Sequence, residues 1–271
     1  MLRNMLGLIA MFLAFSAQAR ADTLKLMGAG SLRAVMTELL HRFPIQSDSI
    51  EPPEFGPSGL LRKKIEDGAA VDVFTSADMQ QPRLLAAGHP ERLVIFFARN
   101  TLCALARPNL GIDQANFLDR LLDPAVHIAT STPGSDPLGT YSWQVLARAD
   151  AIKPGASAAL EAKAKKLVGG GTKTPPLVPG KSAVEGIFLS DPANVMLIYC
   201  SAVPALQKKM PFLTSIKLPP KLTVDPADGM VILNSKPVAL RFAAFVMSEQ
   251  GQEILRSYGF QPVASAPADQ P

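Results

Sequence analysis

The sequence predicts an α/β fold with a largely parallel sheet, and two observations carry that prediction. The first is a run of three strand–turn–helix units between residues 23 and 85, each with a short apolar strand, a turn bearing Gly or Ser, and a helix. The second is that the same alternation resumes after residue 127 and closes the chain with one strand and two helices. In sheets of this kind ligands bind beyond the carboxyl ends of the strands, so the turns that follow the strands are the place to look for function.

The elements read as follows. Residues 23–27 form a strand and Gly28-Ala29-Gly30-Ser31 a tight turn. Leu32, Val35, Met36, Leu39 and Leu40 then recur at helical spacing, which puts Ser31 at the N-cap of that helix. Glu54-Phe55 closes a second strand, Gly56-Pro57-Ser58-Gly59 turns, and a helix occupies 60–66. Residues 71–75 are a third strand, after which Ser76-Ala77-Asp78 opens a helix through Leu85. Residues 96–105 read as a buried strand broken at Arg99 and Asn100. Helices are expected over 113–122, 140–150, 156–167 and 182–189, strands over 127–130, 194–199 and 214–218, and loops over 132–139 and 169–179. The last elements are a strand over 229–233, a helix over 238–248, and a helix over 252–258 that ends at Gly259.

The amino terminus sets the compartment. Arg3 gives a positive start, residues 6–15 are apolar without charge, and Ala19-Arg20-Ala21 fits a small-x-small cleavage site, so residues 1–21 read as a secretory signal peptide. Its removal takes away two Arg and no acid, leaving 25 basic against 23 acidic residues. That small excess, with no Lys/Arg stripe interleaved with aromatics, gives no nucleic-acid footprint. Lys163, Lys165 and Lys166 read as a solvated helix face. About 250 residues remain, enough for two lobes of roughly 100–150 residues each. No second long apolar run follows, and the Ala- and Pro-rich residues 264–271 read as a disordered tail.

Cys103 and Cys200 are the two cysteines. An exported protein permits a disulfide between them, but spacing alone cannot bring them together, and two buried free thiols are the favoured reading. His41, His89 and His127 are scattered and no Cys-x-x-Cys occurs, so a transition-metal site is not expected.

Ser31, Ser58 and Ser76 each stand where a strand hands over to a helix. A hydroxyl beside the free amides of a helix's first turn makes a neutral anion pocket, helped by the helix dipole, although such a Ser more often only caps its helix. Arg33 and Arg62 follow two of these turns and could reach an anion, or lie along the surface. Asp72 reads as fixing a turn at a strand edge and Asp78 as satisfying the first turn of its helix. Tyr199 ends a strand, and Trp143, the single Trp, reads as packing within a lobe.

Several of these motifs occur together in one known family. Gly28-Ala29-Gly30-Ser31-Leu32, then Phe55-Gly56-Pro57-Ser58-Gly59-Leu60, then the segment from Gly68 through Asp72-Val73-Phe74-Thr75-Ser76-Ala77-Asp78, resemble the turns of the periplasmic molybdate-binding proteins of ABC transporters. Pro137-Leu138-Gly139-Thr140-Tyr141 resembles that family's Pro-Ala-Gly-x-Tyr loop, and Val184-Glu185-Gly186, Ile198-Tyr199-Cys200-Ser201-Ala202 and Tyr258-Gly259-Phe260 fall where it has a Val turn, a Tyr-bearing strand and a closing helix. The resemblance implies a two-lobed type II periplasmic-binding-protein fold with two crossing hinge strands. Lobe I would comprise 22–100 and 228–263, and lobe II 101–227. It also implies that the ligand is held by Ser31 and Ser58, by the backbone at Leu138 and Val184, and by the Tyr199 hydroxyl, all neutral donors. The chain departs from the family at Gly28, Gly30, Gly56-Pro57, Gly59, Leu138 and Cys200, and Pro57 removes a backbone donor.

The function expected on these grounds is a periplasmic receptor of an ABC importer that closes around a tetrahedral oxyanion, molybdate or tungstate. Sulfate, a phosphonate or an organic acid is the alternative ligand, and sensing the alternative role. A membrane permease is the expected partner, the protein is expected to be a monomer, and no cofactor, metal or nucleic acid is called for. No Gly-x-Ser-x-Gly elbow and no His motif supports an enzyme.

Overall fold

The computed structural model describes residues 22–45, 48–170, 178, 180–190 and 193–263. The expected signal peptide and tail lie outside them, as does most of the expected loop over 169–179. The chain begins with β1 (Thr23–Leu24), β2 (Leu26–Ala29), α1 (Arg33–Arg42), β3 (Ser49–Ile50), β4 (Glu54–Gly56), α2 (Ser58–Glu66), β5 (Val73–Ser76), α3 (Gln80–Ala86) and β6 (Leu93–Arg99). It continues with β7 (Leu102–Ala106), α4 (Phe117–Leu122), β8 (Ile128–Ser131), α5 (Pro137–Ala147), α6 (Ala156–Lys163), β9 (Lys165–Val168), α7 (Ala183–Ser190), β10 (Val195–Tyr199), α8 (Val203–Lys209) and β11 (Thr214–Lys217). It returns through β12 (Ala227–Ile232), α9 (Pro237–Met247), α10 (Glu249–Ser257) and β13 (Gln261–Pro262).

Two main sheets make two lobes. One has six strands in the order β13-β6-β12-β5-β2-β4, the other five in the order β11-β7-β10-β8-β9. β4, β2 and β5 are parallel to one another, as are β10, β8 and β9, while β12 and β7 run antiparallel to their neighbours. The chain passes between the sheets between Arg99 and Leu102 and again between Lys217 and Ala227. The strand expected over 96–105 is therefore two strands in different sheets, and its polar break is the crossing. Asn100 is buried there: its amide donates to the Pro226 carbonyl at 2.9 Å, tying the two crossing segments together, and its side chain donates to Ser201 Oγ at 2.9 Å.

Periodicity places the core. α1 buries Val35, Met36, Leu39 and Leu40, the expected stripe. α9 buries Phe242 and Phe245, against which Phe43 packs, edge-on to Phe242 at 5.4 Å. Each such side chain contributes about 1.5–3 kcal/mol by leaving water. β5 is buried on both faces: Val73 joins the main core, and Phe74 joins a smaller cluster with Leu61 and Leu85 of α2 and α3.

Several expectations are corrected. The helix expected over 140–150 begins at Pro137, because Asp136 caps it and proline fits its first position. The helix expected over 113–122 begins at Phe117. The helix expected over 156–167 ends at Lys163, and residues 165–168 pair with β8 as an edge strand. The three lysines therefore share no helix face, and Lys163 instead donates to the carbonyls of Leu121 and Asp123. Cys103 and Cys200 form a disulfide with Cα atoms 5.0 Å apart, overturning the free-thiol reading. The antiparallel pairing of β7 with β10, which sets Leu102 opposite Tyr199, brings them within bonding range.

Candidate functional site

The parallel strands of the two lobes end towards one seam, so the turns at their carboxyl ends meet. On one side β2 runs into a 3-10 turn, Gly30–Leu32, that holds the half-buried Ser31. Ser31 makes no capping bond, contrary to its expected role, because the tight turn separates it from the first turn of α1. Ser58 is the first residue of α2, and its hydroxyl is fully buried without a hydrogen-bond partner. The two turns abut: a Cβ on Gly30 would lie 3.9 Å from the Gly56 carbonyl.

The other side is built from the segment between β8 and α5. Asp136 accepts from the Leu138 amide at 3.1 Å and from Ser131 Oγ at 2.5 Å. The helix start lies so close to the loop that a Cβ on Gly139 would come within 2.4 Å of Thr132, which is why glycine stands there. The amide at Leu138 is thus already engaged by a carboxylate. Val184 stands in the first turn of α7, which is fixed by a reciprocal cap: the Ser182 amide and hydroxyl donate to Glu185, and the Glu185 amide donates to Ser182 Oγ.

Among the described residues the lobes touch across the seam at several places. The Gly59 amide donates to the Ser135 carbonyl at 3.0 Å. Leu60 lies against Gly170, where an added Cβ would be 3.2 Å from Leu60 Cδ1. The Tyr199 hydroxyl reaches the Ala77 carbonyl at 3.5 Å, the outer limit of a hydrogen bond. The structure therefore brings Ser31, Ser58, Leu138 and Tyr199 to the seam. Among the described residues no hydrogen bond links any of these four, or Val184, to another of the five.

The seam is acidic. Burial pushes the Asp78 carboxyl up, against hydrogen bonds from the Gln81 amide and Ser76, and pushes Asp136 up against those from Ser131 and Leu138. Asp228 is raised well above the carboxylate range by burial and by Asp78. Burial lifts Tyr141 to about 12, and lifts Tyr199 well above its ordinary value with help from Asp136, Asp228, Tyr141 and Asp78. The basic side chains near the turns are engaged elsewhere: Arg33 stacks on Phe55 at 4.8 Å and donates to its carbonyl, and Arg62 bonds Gln81 and Glu66. Asp72 plays its expected structural part, accepting from the Lys25 amide and from Asn234. Asp78 likewise accepts from the first turn of α3 through the Gln81 amide. Trp143 packs under Lys166, 4.6 Å from its ring centre.

Sequence reasoning gave no site role to Asp136, to Tyr141 of the family-like loop, or to Asp228 at the expected lobe boundary. Asp136 before Pro137 carried a readable cap signature, whereas nothing local marked Asp228.

Two α/β lobes joined by two crossings, with helix starts and hydroxyls facing each other over the seam, make a type II periplasmic-binding-protein fold. That fold defines a receptor class for small solutes. The chain belongs to the bacterial extracellular solute-binding proteins, whose family model matches residues 24–261. It is similar to an uncharacterized protein of Pasteurella multocida, with 28% identity over 244 residues covering 88% of this chain and 98% of that one. In fold it is similar to the periplasmic molybdate-binding protein of Azotobacter vinelandii, with TM-score 0.66, 18% identity, and coverage of 90% of this chain and 100% of that one. It is also similar to the sulfate-binding protein SubI of Mycobacterium tuberculosis, with TM-score 0.65, 18% identity, and coverage of 89% and 87%. The family is one of binding proteins, in keeping with the expectation of a receptor rather than an enzyme. Among the described residues no helix is long and apolar enough to cross a membrane.

Proposed function

We propose that this protein is the periplasmic receptor of an ABC importer and binds a small tetrahedral oxyanion in the seam between its lobes. Residues 22–100 and 228–263 would move as one lobe and residues 101–227 as the other, hinging at the two crossings and docking closed, as a monomer, on a membrane permease. Ser31, Ser58 and Tyr199 would donate hydroxyls to the anion, with the helix starts at Leu138 and Val184 supplying dipole and backbone. The observation that carries the reading is the Ser58 hydroxyl, fully buried and unpartnered at the first residue of α2. An unmet buried hydroxyl costs about 1–3 kcal/mol, which a ligand oxygen would recover.

Molybdate or tungstate is the first ligand, from the motifs shared with the molybdate-binding family. A different oxyanion is the second, favoured by Asp136, which takes the Leu138 amide and so removes one donor. Calorimetric titration of the dialysed mature protein with molybdate, tungstate, sulfate and phosphate separates them. Sub-micromolar binding of the first two with weak sulfate supports the first reading, and tighter sulfate or phosphate supports the second. No heat from any of the four overturns the oxyanion reading.

A further inference from the structure

Tyr199 is the last residue of β10, and its hydroxyl is the point at which that strand meets the other lobe. The end of a strand ladder is where pairing frays first, so a side chain carried there is held loosely unless something beyond the ladder fixes it. Here the disulfide does so. β10 and β7 run antiparallel, with Tyr199 opposite Leu102 and Ile198 opposite Cys103. The same register sets Cys200 opposite Thr101, whose carbonyl accepts from the Cys200 amide at 2.8 Å. The bond from Cys103 to Cys200 therefore runs diagonally across the last pair of the ladder and encloses Tyr199 and Leu102.

The same short stretch bears on the hinge. Cys200 opens the 3-10 turn Cys200–Ala202, and Ser201 in that turn accepts from the Asn100 side chain at 2.9 Å. A Cβ on Gly259, just before β13 of the other sheet, would stand 3.3 Å from Ser201 Cα, so the two lobes come close there as well. Three consecutive residues thus reach the seam, the cross-link and the crossing in turn. Cys200 is also a position at which the chain departs from the molybdate-binding motifs, so the bond is a feature of this chain and not of those motifs.

Resting on the oxyanion reading above, we infer that the Cys103–Cys200 disulfide is a positioning element of the ligand site: it holds the Tyr199 hydroxyl at the seam and makes anion affinity depend on the oxidation state of the pair. Reduction by a dithiol breaks the S–S bond. Two electrons and two protons pass to Cys103 and Cys200, which become thiols, and the dithiol becomes its own disulfide. β10 then ends in an untied pair, and Tyr199 is no longer delivered to one place. A purely stabilising cross-link would have no such effect, because one that only restricts the unfolded chain leaves the folded site unchanged.

The test is a cycle of four dialysed proteins: the wild type, a Cys103→Ala, Cys200→Ala variant, Tyr199→Phe, and the combination of all three substitutions. Each is titrated calorimetrically with molybdate, tungstate, sulfate and phosphate, well below its own melting temperature. Loss of the disulfide should weaken the tightest-binding anion about tenfold or more, the size of one hydrogen bond to a charged ligand. In the Tyr199→Phe background the same loss should change affinity by less than about twofold, because the hydroxyl it positions is gone. Melting temperature should fall alike in both backgrounds, so the affinities carry the distinction. Equal affinity with and without the disulfide, or an equal loss in both backgrounds, overturns the inference and leaves the oxyanion reading intact. No binding of any of the four anions by the wild type overturns both. Should the alanine pair not fold, Cys103→Val, Cys200→Ser in sucrose takes its place: valine refills a buried strand position, and sucrose favours the compact state.

Discussion

The Gly59 amide and the Ser135 carbonyl, 3.0 Å apart, form a backbone hydrogen bond from one lobe to the other. Gly59 is the second residue of α2, directly after the buried Ser58, and Ser135 directly precedes the capping Asp136. The contact therefore joins the two helix starts that flank the candidate site.

Gly59→Ala should separate closure from folding. A Cβ at this position would lie 2.5 Å from the Gly134 carbonyl oxygen and 2.9 Å from that of Ser135, so the seam must widen. Within the helix itself alanine is favoured over glycine by about 1 kcal/mol. The expected outcome is an unchanged or raised melting temperature with ligand affinity weakened by about 1–3 kcal/mol. Equal affinity in variant and wild type would show that the ligand does not need this contact.

Ser58→Ala should act in the same opposite senses for a different reason. It removes an unpartnered buried hydroxyl, so the unliganded protein loses nothing, while binding weakens by about 1–3 kcal/mol. Parallel thermal melts and titrations check both halves, and Ser31→Ala gives the companion measurement on the half-buried hydroxyl.

The disulfide should carry a large share of stability. Cys103 and Cys200 are 97 residues apart, and closing a loop of that size stabilises the fold by about 4–5 kcal/mol in the chain-entropy account. A melt with and without reductant should show a loss of many degrees, and a Cys103→Ala, Cys200→Ala variant should match the reduced protein. Identical melts would mean the pair contributes nothing.

The seam's acids and the cap at Ser182 should give stability two opposed pH dependences. Asp78, Asp136 and Asp228 have raised folded values, so the fold binds their protons more tightly than the unfolded chain; they destabilise it increasingly as pH rises from about 3.8 towards those values. Asp228→Asn should therefore raise the melting temperature near neutral pH and leave it little changed in acid. Glu185, lowered to about 2 by the Ser182 amide and hydroxyl, works the other way: its stabilisation is full above 4.5 and is lost as pH falls through 2. Glu185→Gln should flatten the acid limb alone. Melting curves over this range test both.

Much of this was legible in the sequence because it is local. The stripe Val35, Met36, Leu39, Leu40 and the three strand–turn–helix units follow from periodicity within a few turns. The crossing at Asn100 was visible locally only as a polar break, and the family resemblance, which divided the lobes between 100 and 101, is what placed it. β9 was read as helix because Lys165 and Lys166 continue a helical stretch; its strand geometry comes from pairing with β8, a tertiary contact that outweighs propensity. Cys103 and Cys200 are brought together by the register of β7 and β10, and Asp228, though it stands at the expected lobe boundary, is buried by tertiary packing that its Pro-Ala-Asp-Gly surroundings do not announce. Within the candidate site, Ser31, Ser58 and Tyr199 were legible as residue types at strand ends and Asp78 as the acid at its helix start, whereas Asp136 and Asp228 were given no role.

Small-angle scattering of the purified protein, before and after saturation with the anion that titrates most tightly, tests whether the lobes close on an oxyanion. The radius of gyration should fall on binding to that of the arrangement described here, with Gly59 against Ser135, and Gly59→Ala should remain expanded. An unchanged radius at saturation in the wild type would contradict the closing receptor.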